Sequence, residues 1–292
     1  MMKKVIRFCD SWNEDDVRFF ASLGIKVAPN EFTNIYVKEK TIQDSIHQYL
    51  GESDNHPLCI EDYSFEYSKE EILASEYCVI RNYHYCGYPE HLNDITCEWQ
   101  DSCTSCHYNA VQIDDYRVSK IAKHKLWGFF AWVFEVLFAS VDLYQEVFEP
   151  LGIGCRPLRT KGGKIIDCVV QLVIPVIDED MVFLNHNYRE CPDCGKRKYV
   201  GEPINPFYPL HKHPLPHIYL SKERFGDGWF SDREIYISTE LALKLIKMKE
   251  LKYEWLIPCK PNYEEYLASS EGWEPQQSKR LANEKDLRPI HY

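Results

Sequence analysis

The chain has 292 residues, of which 45% are hydrophobic and 27% charged, so it can form a substantial globular core. Its net charge of −11 disfavours non-specific binding to nucleic acids, because their phosphates would be repelled. The most apolar run, residues 126–141, contains Glu135 and is shorter than the roughly 17–25 residues of a membrane-spanning helix. The N-terminal residues lack a signal-peptide pattern. We therefore expect a cytoplasmic protein without a membrane segment, whose 12 cysteines remain reduced.

Residues 1–96 are predicted to form an N-terminal α/β segment. Residues 5–8 have the pattern of a strand, and Ser11 or Asn13 is expected to cap a helix that ends near Gly24. Ser68 and Glu71 have the spacing of a capping box, which predicts a second short helix. Further extended segments are predicted at residues 25–27, 34–37 and 77–81.

Residues 97–182 begin with a first CxxC pair, Cys103 and Cys106. The apolar run that follows is ambiguous between helix and strand. Ser140 is expected to cap a short helix, and residues 154–158 and 167–175 are predicted to be strands, the second of them buried.

Residues 183–262 contain the second CxxC pair, Cys191 and Cys194, followed by Gly195 and a loop rich in proline and histidine. Strands are predicted at residues 218–221, 234–238 and 255–259, and Ser238 is expected to cap a helix. The tail, residues 263–292, is polar and charged, and we expect it to be loosely packed.

The two middle segments, 97–182 and 183–262, have similar parts in the same order. Each has a CxxC knuckle, a strand ending in Ser-Lys, a Gly/Trp/Phe cluster, a predicted helix and a strand with a Pro/Cys pattern. The prediction is an α+β fold, with two approximate repeats joined at a metal site and preceded by the N-terminal segment.

The two CxxC pairs predict a metal centre. Zn²⁺ prefers four thiolates in a tetrahedron, and two CxxC turns supply them. We therefore predict one structural zinc ion bound by Cys103, Cys106, Cys191 and Cys194. The 84 residues between the pairs also permit two half-sites, each completed by other ligands. Alternatively, the pairs are unrelated thiols without metal, or one of them is a redox-active CxxC.

Candidate catalytic groups are few. His211, His213 and His217 form an HxHxxxH pattern, which keeps a metal-dependent, hydrolase-like enzyme as an alternative hypothesis. The sequence has no GxSxG, P-loop or GxGxxG motif, and Cys9, which follows the first predicted strand, is expected to be a buried thiol rather than a nucleophile. A closed four-cysteine site leaves no position for a reactive water, so the expected protein is not an enzyme.

Residues 97–262 resemble the double-CXXCG motif family of bacterial proteins. The resemblance rests on the two CxxC pairs, the Gly-Ile-Gly-Cys-Arg-Pro and Gln-Leu-Val-Ile-Pro segments between them, and the CPDCG sequence of the second knuckle. His107 stands where the first knuckle of that family has glycine. The resemblance implies a zinc-binding immunity protein that neutralises a cognate bacterial toxin by protein–protein interaction. Because the chain is acidic, we expect its partner to be a basic toxin domain, and we expect it to bind neither nucleic acid nor a membrane. The oligomeric state stays open.

Overall fold

The structure is a computed structural model, and it describes residues 3–52, 59–81, 85–87, 99–100, 103, 105–106, 108, 111–118, 128–130, 133–178, 188–199, 216–226 and 232–259. It contains helices and mainly antiparallel sheets, so the predicted α+β class is confirmed. The chain divides into two compact units, Met1–Glu71 and Ile72–Tyr292. The boundary differs from the predicted end of the N-terminal segment at residue 96.

The first unit is a three-stranded sheet with two helices. Its elements in chain order are β1 (Lys3–Ser11), α1 (Glu14–Ser22), β2 (Phe32–Val37), α2 (Lys40–Glu52) and β3 (Ile60–Glu66). The strands are antiparallel in the order β2-β1-β3, so β1 is central. The sequence prediction omitted α2 entirely.

Helix α1 begins where the sequence indicates. The side chain of Asn13 accepts hydrogen bonds from the backbone N–H groups of Asp15 (2.7 Å) and Asp16 (3.1 Å). In return the Asp16 carboxylate accepts from the N–H of Asn13 at 2.6 Å, which completes a capping box. Of the two predicted caps, Asn13 is therefore the one used.

The core of this unit is built from the inward-facing side chains of β1 and β2 with those of the two helices. It consists of Ile6, Phe8, Trp12, Phe20, Ile35, Val37 and Ile46. Each is at most 4% exposed. The seven buried members of this cluster are all apolar, and Cys59 packs against them at its edge. Asp16 of α1, also buried, accepts the hydrogen bonds of the helix cap and of the Tyr49 hydroxyl.

The second unit contains the remaining elements. In chain order they are α3 (Lys69–Leu73, which crosses the boundary), β4 (Tyr77–Ile80), β5 (Tyr85–Gly87), β6 (Trp99–Gln100), β7 (Val111–Gln112), β8 (Arg117–Val118), β9 (Gly128–Phe130), β10 (Val133–Ser140), α4 (Val141–Leu143), β11 (Gly154–Thr160), β12 (Ile165–Val173), β13 (Tyr188–Glu190), β14 (Arg197–Tyr199), β15 (Ile218–Leu220), β16 (Ile235–Ser238), α5 (Thr239–Lys247) and β17 (Leu256–Pro258). A π-helical turn (Tyr144–Phe148) and a 3-10 turn (Glu149–Leu151) extend α4, and a second 3-10 turn (Tyr253–Trp255) precedes β17.

A six-stranded sheet has the order β5-β9-β10-β12-β11-β8. The apolar run with ambiguous periodicity forms strands β9 and β10 in its described part. Buried side chains of the sheet pack around Phe138, together with Tyr116, Val118, Leu158 and Val169. Ser140 caps α4 as predicted, because its hydroxyl accepts from the N–H of Leu143 at 3.1 Å.

A four-stranded antiparallel sheet has the order β15-β16-β4-β17. Its strand β4 precedes both cysteine pairs, whereas the other three follow them. This long-range pairing explains why the unit begins at Ile72 rather than near residue 97. Strands of the two predicted repeats thus lie in different sheets, β8 and β11 in the larger and β15 and β17 in the smaller. The repeat itself stays a prediction.

Candidate metal centre

Four cysteine side chains from two distant parts of the chain lie together in the second unit. The sulfur atoms of Cys103, Cys106, Cys191 and Cys194 are all within 4.8 Å of one another. Cys106 and Cys191 are buried, Cys103 is half-buried and Cys194 is exposed. The structure therefore brings together all four predicted ligands in a site that can hold a metal ion.

Two close sulfur–sulfur contacts run between the knuckles. The sulfur atoms of Cys103 and Cys191 are 3.7 Å apart, as are those of Cys106 and Cys194. A disulfide has a sulfur–sulfur distance of about 2.05 Å, so the four side chains are free thiols. Each knuckle thus supplies two ligand atoms that face the other knuckle.

The two knuckles share a local fold. Each CxxC sequence lies in the loop of a two-stranded antiparallel hairpin, β6–β7 for the first and β13–β14 for the second. In each, the first cysteine donates its backbone N–H to the carbonyl five residues later: Cys103 to Tyr108 (3.3 Å) and Cys191 to Lys196 (2.9 Å). The same bond closes both loops, which turns all four sulfur atoms toward one point.

Glycine has a conformational role in the second knuckle. Gly195 has a φ of +67°, in the left-handed region that other residues adopt at a cost. Its N–H donates to the carbonyl of Cys191 at 2.8 Å. The corresponding residue of the first knuckle, His107, lies outside the described residues.

Direct contacts also join the knuckles. The ammonium group of Lys198, only 6% exposed, donates to the carbonyl of Cys106 at 2.7 Å. The hydroxyl of Ser105 donates to the carboxylate of Asp193. A buried ammonium is expensive unless its hydrogen bonds are made, so the Lys198 contact helps to define the relative position of the hairpins.

The thiols differ in acidity. The backbone N–H of Ser105 donates to the sulfur of Cys103 and lowers the pKa of this thiol to about 7. Burial raises the pKa of Cys106 to about 12, and burial also raises the pKa of Cys194. A metal ion must therefore displace protons from Cys106 and Cys194 at neutral pH, because thiolates are the binding form.

An ionic cluster around the buried Arg224 connects the first knuckle with the six-stranded and the four-stranded sheet. Glu135 of β10 accepts from the guanidinium of Arg224 (3.2 Å) and from the backbone N–H of Arg233 (3.0 Å). Arg224 is 1% exposed, and its guanidinium lies 5.9 Å from the ring centre of Tyr108. A glutamate in an apolar run, such as Glu135, could have indicated an ion pair from the sequence alone. No comparable sequence signal identified Arg224 and Arg233 as its partners.

Of the predicted histidine triplet, the structure describes His217. Its Nδ1 lies 2.9 Å from the hydroxyl of Ser238, the residue that also caps α5 by accepting from the N–H of Leu241 at 3.2 Å. His211 and His213 lie outside the described residues. Cys9 is buried at 3% exposure in the first unit.

In the described part of the chain, no helix combines the length and apolar character needed to cross a membrane. Comparisons of the chain with family models, with curated proteins and with solved structures gave no match.

Proposed function

We propose that this chain is a zinc-stabilised binding protein without enzymatic activity, which acts as an immunity protein against a bacterial toxin. The observation that carries this proposal is the cluster of four cysteine sulfur atoms. An ion bound by four thiolates has no open position for water or substrate, and such sites are structural.

Zinc is the metal that we propose for the cluster, because four cysteine thiolates are a typical ligand set of structural zinc sites. Four sulfurs at the usual zinc–sulfur distance of about 2.3 Å form a tetrahedron with edges of about 3.8 Å. The two 3.7 Å contacts between the knuckles agree with those edges. The ion would link the hairpins β6–β7 and β13–β14, and thereby residues 85 positions or more apart in sequence.

The binding role is supported by charge and composition. A net charge of −11 attracts basic proteins and accelerates their association, whereas it repels phosphate backbones. The chain also contains 20 tyrosines, a residue type enriched in protein interfaces. Together with the resemblance of residues 97–262 to the double-CXXCG motif family, these features point to occlusion of a basic toxin as the mechanism.

The test is a tagged purification from lysate of the native host, with identification of bound proteins by mass spectrometry. We expect a near-stoichiometric basic protein, or the C-terminal domain of a large secreted one. That partner should arrest growth when produced alone in a heterologous host, and co-production of this chain should restore growth.

As a control, the Cys168→Ala variant lacks an exposed thiol outside the cluster. It should protect cells from the partner as well as the wild type does. A folded, zinc-loaded protein that binds the partner but leaves its toxicity unchanged would contradict the immunity role. Turnover of a substrate by the purified chain would contradict the non-enzymatic role.

A further inference from the structure

The two most exposed large hydrophobic side chains of the described residues lie on one strand. On β2, Phe32 is 68% exposed and Tyr36 is 64% exposed, whereas Ile35 and Val37 are at most 4% exposed. Side chains alternate along a strand, so Phe32 and Tyr36 share the face opposite the core and are about 13 Å apart along the strand. Burying two aromatic rings is a large source of binding energy, and their joint exposure indicates an interaction surface.

Strand β2 is also an edge of its sheet. The order β2-β1-β3 gives it one partner strand within the described part of the chain. Edge strands usually carry a charge, a proline or a bulge that discourages further pairing. The sequence of β2, FTNIYV, has no charged residue, proline or glycine. Its pairing with β1 runs without interruption from Ile6–Val37 to Ser11–Phe32. This strand is therefore suited to pairing with one more strand.

The charge around β2 selects the partner. Residues 1–71 contain 14 acidic and eight basic residues, which gives them a net charge of −6. This unit is about a quarter of the chain but carries more than half of its net charge of −11. Exposed Glu31 precedes β2, exposed Glu39 and Lys40 follow it, and Arg7 of β1 is the cross-strand neighbour of Tyr36. The intervening Lys38 is paired with Glu66 at 2.7 Å. A second copy of this chain would bring two acidic units together, whereas a basic segment would be attracted.

We propose that β2 is the docking strand for a basic protein segment, which adds to the sheet in extended conformation. Backbone hydrogen bonds to β2 supply affinity, and apolar side chains at alternate positions of the segment cover Phe32 and Tyr36. Lysine or arginine at the ends of the segment contacts Glu31 and Glu39. The inference rests on the proposed function in one respect, since the segment would belong to the toxin.

The experiment uses a phage-displayed library of random 12-residue peptides, panned on the full-length, zinc-loaded protein. We expect enriched peptides to be basic, with apolar residues at alternate positions. Synthetic versions should bind the double variant Phe32→Ser/Tyr36→Ser at least tenfold more weakly than the wild type. A matched double variant in exposed apolar residues of β12, Ile165→Ser/Val173→Ser, should bind them with unchanged affinity.

A second variant, Glu31→Lys/Glu39→Lys, keeps both rings and reverses the local charge. It should bind the basic peptides more weakly at low salt, with a smaller dependence of affinity on salt concentration. Failure to enrich any peptide, enrichment of peptides without basic residues, or equal affinity for the Phe32→Ser/Tyr36→Ser protein would overturn the proposal. A dimer in light scattering that dissociates on the same double substitution would also overturn it, in favour of a second copy.

The test separates this surface from the proposed function. If co-production protects cells from the partner but the β2 variants protect equally well, only the docking strand is wrong. If peptides bind at β2 but no toxin is neutralised, only the immunity role is wrong.

Discussion

The core of the first unit and the surroundings of the four cysteines are stabilised in different ways. In the first unit, seven apolar side chains, among them Phe8 and Trp12, form a core that excludes water, and the buried carboxylate of Asp16 is hydrogen-bonded at the cap of α1. In the second unit, the buried ammonium of Lys198 contacts the carbonyl of Cys106, and the buried guanidinium of Arg224 lies 5.9 Å from the ring of Tyr108 in the first knuckle. An apolar core is stable by itself, whereas buried polar groups stabilise only when their partners are present. We therefore expect a bound metal to stabilise the second unit and to have little effect on the first.

Removing one ligand should have the largest effect. We expect Cys194→Ala to lose the bound metal and to lower the free energy of unfolding of the second unit by several kcal/mol, because metal binding is coupled to folding. Metal analysis and hydrogen exchange followed by mass spectrometry are the measurements. Exchange should increase in β13 and β14 and change little in β1.

The control for this substitution is Cys168→Ala, an exposed cysteine of β12 that should retain one equivalent of metal and the wild-type melting temperature. A Cys194→Ala protein that melts at the wild-type temperature would show that the cluster holds no stabilising metal.

Structural features that depend on neighbouring residues could be predicted from the sequence, whereas those that depend on distant residues could not. The helix caps at Asn13, Ser68, Ser140 and Ser238 were predicted, because a cap is set by residues within one turn. The four cysteines were identified from their spacing. Helix α2 was missed, and the apolar run around Glu135 was left ambiguous, because its strands β9 and β10 are selected by neighbours distant in sequence.

The pairing of β4 with β16 and β17 was beyond local signals. A four-residue strand such as Tyr77–Ile80 carries no indication that its partners lie more than 150 residues later. The ion pairs of Glu135 with Arg224 and Arg233 depend on the same long-range topology, since they join β10 to residues next to the smaller sheet. These long-range contacts join β4 to the second unit, which therefore begins before the boundary predicted at residue 96.

A substitution in the apolar core should give the opposite pattern to loss of a ligand. Phe8 is fully buried and its ring meets that of His47 edge-on at 5.2 Å between ring centres. We expect Phe8→Ala to lower the free energy of unfolding of the first unit by about 3–5 kcal/mol, through lost burial and a cavity. The metal content should remain one equivalent. Phe32→Ala, at a 68% exposed site, is the matched control and should change stability by less than about 0.5 kcal/mol.

Acidity should affect the metal centre and spare the apolar core. The raised pKa of Cys106, about 12, means that this thiol keeps its proton at neutral pH in the metal-free protein and releases it to the solvent when metal binds. Each proton released makes the affinity for metal tenfold lower per unit decrease in pH, so we expect at least a tenfold fall between pH 7.5 and 6.5. Competition with a chromophoric chelator at the two values measures it. The Phe8→Ala protein should show the same slope, because its altered core contains no metal ligand. A pH-independent affinity would mean that the four sulfur atoms are not bound to the metal as thiolates.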